Sequence, residues 1–453
     1  MATVPAALLD ALEKIKGFNR VSFESVHDSG LQVTSIRLNS SKTPAAETQN
    51  LSSSVPWCAN GYYLNDRPSF TLDPCFHGGA YYVQEASSMF LEQAVLQTLN
   101  LESPLRVLDL CAAPGGKSTH LQSLISRESL LVCNEVIKSR AAILYENITK
   151  WGGPNVVITG SDPQAFGAVE NYFDLLVVDA PCSGSGLFRR EPEAITHWSE
   201  QNVELCSQRQ QRILSDAWPA LKEEGILIYS TCSYSWEEDE AILNWIENNF
   251  NIEGISLRLD PNWNIVETSS SSGKLPGYRF FPDRIHGEGF FLACMRKKEG
   301  GTFKKNTLKK SGTSTCSRAD MAVIQKWLTP INDLQMFYSG DSISAIPSSL
   351  YPVWQQLQGI YIKNTGMELG KINHGDFIPS HAFALSDLRS GDLLSVNLGL
   401  QDALSYLRRE PISLPGNLGG WVLIKYENIA LGWVKALPNR VNNYYPVNWR
   451  ILK

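Results

Sequence analysis

The chain has 453 residues, of which 43% are hydrophobic and 19% charged, with 33 glycines and 23 prolines. At about 150 residues per domain, that length suggests roughly three domains with ample apolar content for cores. The composition excludes collagenous, coiled-coil and globally disordered proteins, and no run approaches the roughly 18 apolar residues of a membrane-spanning helix.

The opening MATVPAALLDALEKIKGF has no basic region ahead of an apolar run, and Asp10 and Glu13 interrupt it. An amphipathic helix is expected there, not a signal or transit peptide. The nine cysteines include no CxxC and no paired spacing. They suit a reducing cytoplasm better than a disulfide framework or a structural zinc site. A cytoplasmic protein is expected.

The net charge of −6 hides an asymmetry: residues 1–100 carry −3, residues 101–300 carry −9 and residues 301–453 carry +6. An acidic middle with a basic C-terminal third fits an enzyme whose appended module holds a polyanion. Uneven surface charge without function would look the same.

In chain order, the polar stretch 39–54 is expected to be a loop inside an N-terminal region. Five β-branched-rich runs then read as buried parallel strands: LRVLDL (105–110), LLVCNE (130–135), NVVITG (155–160), DLLVVDAP (174–181) and ILIYSTC (226–232). Helical patterns lie between them. In QRILSDAWPALKEEG, Leu214, Ala217, Trp218 and Leu221 share a face, and Gly225 is expected to end the helix. Ser235 and Glu238 have capping-box spacing ahead of Ile242, Trp245 and Ile246. Such alternation implies an open α/β sheet with ligands beyond the strands' carboxyl ends. Residues 299–317, rich in Gly, Ser, Thr and Lys, read as a basic flexible linker. Residues 318–380 look like mixed helix and loop. The run WVLIKYENIALGWVKAL reads as two strands broken at Glu427-Asn428, part of a small β-rich barrel.

The chemistry concentrates at the strand ends. DLCAAPGGKSTH (109–120) ends a strand and opens a helix, and its small residues admit a ligand close to the backbone. Cys111 to Ser118 is one residue away from a phosphate-cradling GxxxxGK[ST] loop, with Cys111 where the first glycine belongs. Asp179 could then be the magnesium-holding acid of an NTPase. The G-x-G-x-x-G dinucleotide pattern is absent. S-adenosylmethionine is the third candidate, since it needs carboxylates at the next strand ends. Glu135 stands there to grip a ribose diol, Asp162 to contact adenine, and Asp179 at the fourth end. Singly, each acid would read as a solvated loop residue; together, beside a Gly-rich turn, they favour a cofactor site. Cys182 in DAPCSGSG and Cys232 in YSTCS also lie on this edge. A lone cysteine is usually a small buried hydrophobe, but a strand-end thiol near cations can be a nucleophile.

DLCAAPGGK, DAPCSGSG and YSTCS, in this order, resemble the Sun-domain RNA (cytosine-carbon-5) methyltransferases. The similarity continues through SIRLN (35–39), YYVQEASSMFLE (81–92), GLFRREPEA (186–194) and GEGFFLACMRK (287–297). The tail from Trp421 resembles the PUA-like module of the bacterial small-subunit ribosomal RNA methyltransferase F type.

The resemblance implies S-adenosylmethionine held by Cys111, Ala112, Ala113, Pro114, Gly115, Gly116 and Lys117, with Glu135, Asp162 and Asp179 as polar contacts. It implies Cys232 as nucleophile, Cys182 as the helper in product release, and Asp179 and Lys117 near the target base. No metal is expected.

The fold implied is α/β, a Rossmann-like methyltransferase domain between an N-terminal α+β extension and a C-terminal PUA-like β-rich RNA-binding module. The divisions expected are 1–78, 79–298, the linker 299–317, an intermediate region 318–383 and the PUA-like part 384–453. The substrate implied is RNA, 16S ribosomal RNA first and tRNA second, and the chain is expected to be a monomer. From other classes, a P-loop-like NTPase and a non-catalytic ribosome-assembly module remain open.

Some features carry weaker expectations. Arg189 and Arg190 suit substrate phosphates or a solvated surface pair equally. Tyr81, Tyr82 and Gln84 to Ser88 are expected to wall the cofactor. The seven histidines show no ligand spacing. Trp421, Trp433, Tyr444, Tyr445 and Trp449 are expected mostly in the small domain's core, with stacking on RNA as the rival role. Truncation after residue 298 is expected to weaken RNA binding and spare cofactor binding.

Overall fold

A computed structural model describes residues 3–42, 50–301, 303, 314–330, 333–357 and 359–452. Most of the expected linker, residues 302 and 304–313, and part of the polar stretch, 43–49, lie outside the described residues. Leu51–Ser54, placed in a loop by its polarity, is a strand paired with Gly61–Leu64. Among the described residues no helix is long and apolar enough to cross a membrane.

The chain opens with two short helices, Ala6–Leu12 and Arg20–Asp28. Asn19 caps the second by accepting from the Ser22 N–H. Leu8, Leu9, Leu12 and Phe23 pack on Phe188, Tyr234, Val266 and Phe281, all from the catalytic region. A four-stranded sheet follows, ordered Leu51–Ser54, Gly61–Leu64, Ser35–Leu38, Tyr81–Val83.

The five expected strands form the centre of the main sheet, as Arg106–Asp109, Leu130–Asn134, Val156–Thr159, Phe173–Asp179 and Leu221–Thr231. They lie in the order third, second, first, fourth, fifth, with every neighbouring pair parallel. The order reverses between the first and fourth strands, so a crevice opens at their carboxyl ends. Phe290–Lys297 pairs antiparallel with the fifth strand. Apolar side chains on both faces of these strands form two large cores, which explains their continuous apolar runs.

Two helix boundaries differ from expectation. The helix Glu200–Ala217 ends well before Gly225, because Pro219 has no N–H to continue it. Leu221 instead opens the long fifth strand. The helix expected from Ser235 begins at Glu240, after a turn at Trp236–Glu238, and the Ser235 hydroxyl has no partner. Glu238 does not cap; its carboxylate is used elsewhere.

The region after the linker is strand-rich, not helix and loop. Leu334–Ser339, Ser342–Pro347, Met367–Asn373 and Asp376–Pro379 form an antiparallel sheet. Its hairpins turn at Gly340-Asp341 and His374-Gly375, where positive φ at Gly340, His374 and Gly375 suits two-residue turns. At the C-terminus, Gly420–Tyr426 and Ile429–Leu437 do break at Glu427-Asn428, both with positive φ. With Ser395–Asn397 and Arg440–Asn443 they make a four-stranded open sheet, not the closed barrel expected.

Candidate active site

The turn after the first strand is braced from behind. Asn134, at the end of the second strand, donates to the Leu110 and Ser161 carbonyls and accepts from the Thr159 hydroxyl and the Ser161 N–H. One buried amide thus ties three strand ends together. Arg140 donates to the Ala113 carbonyl at 2.7 Å and Asn147 to that of Pro114 at 2.8 Å. Gly115, at φ 114°, takes a conformation that favours glycine and lets the helix Gly116–Leu124 begin at once.

In front of this turn lies a cavity of about 290 Å³ lined by Cys111, Ala112, Ala113, Pro114, Gly116, Lys117, Asp179 and Cys232. Tyr82, Gln84, Glu85 and Ser88 also line it. The helix and strand ends therefore bring the Gly-rich turn, an acid, a cation and a thiol to one hollow. A larger cavity, about 670 Å³, lies between the first helix with the turn after it and Trp236 and holds none of the expected site residues.

Cys182 and Cys232 arrive from the fourth and fifth strand ends with their sulfurs 3.1 Å apart. The Cys182 thiol is pushed well above the ordinary cysteine range, first by its bond to Cys232, then by burial and the Cys232 charge. Cys182 therefore holds its proton. Lys117 Nζ lies 2.8 Å from Asp179 Oδ2 and 5.0 Å from the centre of the Phe290 ring. Burial pulls this lysine down, but the Asp179 charge and bond, aided by Cys232, leave it above its usual range. It stays an ammonium. The other Asp179 oxygen accepts from the Ser230 hydroxyl at 2.8 Å.

Sequence reasoning missed the clamp beneath the thiols. Glu238 is fully buried and accepts from the Ser183 N–H (2.8 Å), the Ser183 hydroxyl (2.5 Å), the Ser233 hydroxyl (2.6 Å) and Gln210 (3.2 Å). Ser183 follows Cys182 and Ser233 follows Cys232, so one carboxylate holds both cysteine loops. Burial pushes its carboxyl up, and the serine bonds oppose this. The signal was visible, but as a capping-box glutamate it pointed to the wrong partner. Glu238→Ala strands several buried donors and should cost about 2–4 kcal/mol of stability, with at least a roughly tenfold loss of methyl transfer. Glu238→Gln, which keeps one acceptor, should lose clearly less in denaturant unfolding and in the same activity assay.

Glu135 and Asp162 flank the hollow and do not line it. Glu135 is buried, accepting from the Ile137 N–H at 2.8 Å, with Arg140 3.5 Å from its second oxygen. Asp162 is exposed and caps the turn at Pro163–Val169. Between them Val136 and Ile137 are each 49% exposed, an apolar surface beside two acids that suits a flat base joined to a ribose diol. The donor set fits S-adenosylmethionine, with the thiol cavity at the other end of the same edge.

The two arginines part company. Arg189 is buried in a two-bond pair with Glu288, at 3.0 and 2.9 Å, and is not available to phosphates. Arg190 is exposed and lines the thiol cavity. Cys58, Glu92 and His120 form a buried trio with ligand-type atoms within 4.8 Å of one another. Their spacing in sequence gave no hint of it. Glu92 is satisfied there by the Cys58 thiol, His120 and the Ala59 N–H. Trp433 and Tyr445 are core residues, whereas Trp421 and Tyr444 pack edge to face near the surface with Lys435 beside them.

Comparison with known proteins decides between the rival chemistries. Residues 96–296 match the 16S rRNA methyltransferase RsmB/F family. Residues 4–86, 324–386 and 394–451 match the N-terminal, first C-terminal and PUA domains of RsmF enzymes. The chain belongs to the RsmB/F methyltransferase family. Ribosomal RNA small subunit methyltransferase F of Vibrio parahaemolyticus is 29% identical, over 98% of this chain and 97% of that one. The enzyme of the same name from Escherichia coli O6:H1 is 27% identical, over 91% and 89%. Among solved structures, a methyltransferase homolog from Pyrococcus horikoshii has TM-score 0.51 at 28% identity, covering 65% of this chain and all of that one. NSun6 from the same organism, with TM-score 0.54 at 17% identity over 66% of this chain and 99% of that one, shares the fold. The RsmB/F chain is thus an S-adenosylmethionine-dependent RNA methyltransferase.

Proposed function

We propose that this enzyme methylates carbon 5 of cytosine in small-subunit ribosomal RNA through a covalent bond to Cys232, with Cys182 releasing the product. The observation that carries this reading is the pair of strand-end thiols 3.1 Å apart, Cys232 lining the cavity that also holds the Gly-rich turn, Lys117 and Asp179. The cofactor supplies an electrophilic methyl group. Carbon 5 is a poor nucleophile until the Cys232 thiolate adds to carbon 6 and turns the ring into an enamine. Asp179 has both oxygens engaged, so the Lys117 ammonium beside it is the group that offsets charge developing on the ring.

Cys182 changes role as the reaction proceeds. Once Cys232 is bonded to carbon 6, its bond to Cys182 no longer holds the Cys182 proton, which passes to solvent. The Cys182 thiolate then takes the carbon-5 proton, the electrons of that bond restore the ring double bond, and the carbon–sulfur bond breaks. Carbon 6 is inaccessible in a stacked helix, so the target base must be splayed out of it. An NTPase reading is disfavoured because Lys117, which would reach the phosphates, is committed to Asp179.

Bisulfite sequencing of ribosomal and transfer RNA from cells with and without the protein tests the substrate. Loss of a methylated cytosine in small-subunit RNA is expected; loss confined to tRNA moves the target, and no change in either refutes the activity.

We assign RNA holding chiefly to the basic C-terminal third, where Lys371, Arg440 and Arg450 are exposed. Replacing these three by alanine in the full chain should weaken RNA binding and reduce its salt dependence by about one unit of slope per lost phosphate contact. Filter binding at several salt concentrations reads this directly. An unchanged slope would place the RNA elsewhere.

A further inference from the structure

The third central strand would be an open sheet edge if the catalytic region stood alone. Ile362–Thr365 of the first C-terminal domain covers it, running antiparallel with Ile362 opposite Thr159 and Thr365 opposite Val157. The pairing continues past the strand end. The Gly160 N–H donates to the Tyr361 carbonyl at 2.9 Å, and the Tyr361 N–H donates to the Ser161 hydroxyl at 2.7 Å. Asp162 is the next residue.

Lys363 holds the neighbouring loop. Its side chain lies along Gly160, where an added Cβ would collide with Lys363 Cε. Its ammonium reaches the Glu135 carbonyl at 3.4 Å. One short segment therefore braces the loops of both Glu135 and Asp162. Tyr361 itself is 65% exposed. With Lys363 and Lys138, the residue after Val136-Ile137, it lines a cavity of about 530 Å³.

We propose that the cofactor site is completed from outside the methyltransferase domain. Residues 361–365 fix the two acidic loops and set the Tyr361 ring against the adenosine end of the cofactor. The proposal rests on the assignment of Glu135 and Asp162 to that end. It also replaces the expectation that cutting the chain after residue 298 would leave cofactor binding intact, because the cut removes this brace.

Calorimetric titration of the full-length protein with S-adenosylhomocysteine tests it. Tyr361→Ala and Lys363→Ala should each weaken binding roughly five- to thirty-fold, with the ligand-free melting temperature unchanged. Tyr361→Phe keeps the ring and should stay within about twofold of wild type. Losses that track a fallen melting temperature, or a Tyr361→Phe as impaired as Tyr361→Ala, would make the segment mere packing and overturn the proposal. Wild-type affinity in Tyr361→Ala and Lys363→Ala, with Glu135→Ala impaired, overturns it alone. Wild-type affinity in all three variants removes the acidic-loop assignment as well.

Discussion

Cys232→Ala should abolish methylation and form no protein–RNA adduct, whereas Cys182→Ala should accumulate one. The asymmetry follows from the different surroundings of the two sulfurs. Its bond to Cys232, 3.1 Å away, and burial push the Cys182 thiol well above the ordinary cysteine range, whereas Cys232 lines the cavity beside Lys117 and Asp179. Without Cys182 the attack and methyl transfer still proceed, but nothing takes the carbon-5 proton and the carbon–sulfur bond persists. The complex should survive denaturing gel electrophoresis when cofactor and RNA are both present. Turnover should fall by a factor of about 100 or more, the usual worth of a positioned base. An adduct in the Cys232 variant alone would reverse the roles. Full activity in both variants without an adduct would remove covalent catalysis by these residues.

Glu135→Ala should weaken S-adenosylmethionine binding by about 2–4 kcal/mol, or roughly 30- to 1000-fold, and leave RNA binding nearly unchanged. The two charge-assisted bonds that Glu135 would make to a ribose diol have no substitute nearby, because Asp162 lies on the next loop and is exposed. Glu135 also accepts from the Ile137 N–H, so alanine frees the apolar surface as well as removing the acid. Glu135→Gln retains an acceptor for that N–H and should show a smaller loss. Calorimetry on both variants separates the terms, and unchanged affinity in Glu135→Ala would take this residue out of the site.

The five central strands and the hairpin break at Glu427-Asn428 were legible because their signals are local. An apolar run buried on both faces, or two turn residues between alternating patterns, needs no distant partner to be recognised. The ordered motifs also placed Lys117, Asp179, Cys182 and Cys232 on one edge, since parallel strands deliver their carboxyl ends together. What folding alone decided concerns partners far apart in sequence. Arg189 became a buried ion-pair member only when Glu288 came beside it. Glu238 left its expected cap because Ser183 and Ser233, from two strand ends, offered a buried carboxylate more donors than one helix terminus could. Ile362–Thr365 is an unremarkable run until the third strand presents an edge needing hydrogen bonds. Periodicity and motif order are written residue by residue, whereas charge compensation and edge pairing are satisfied only by whatever the finished fold brings within reach.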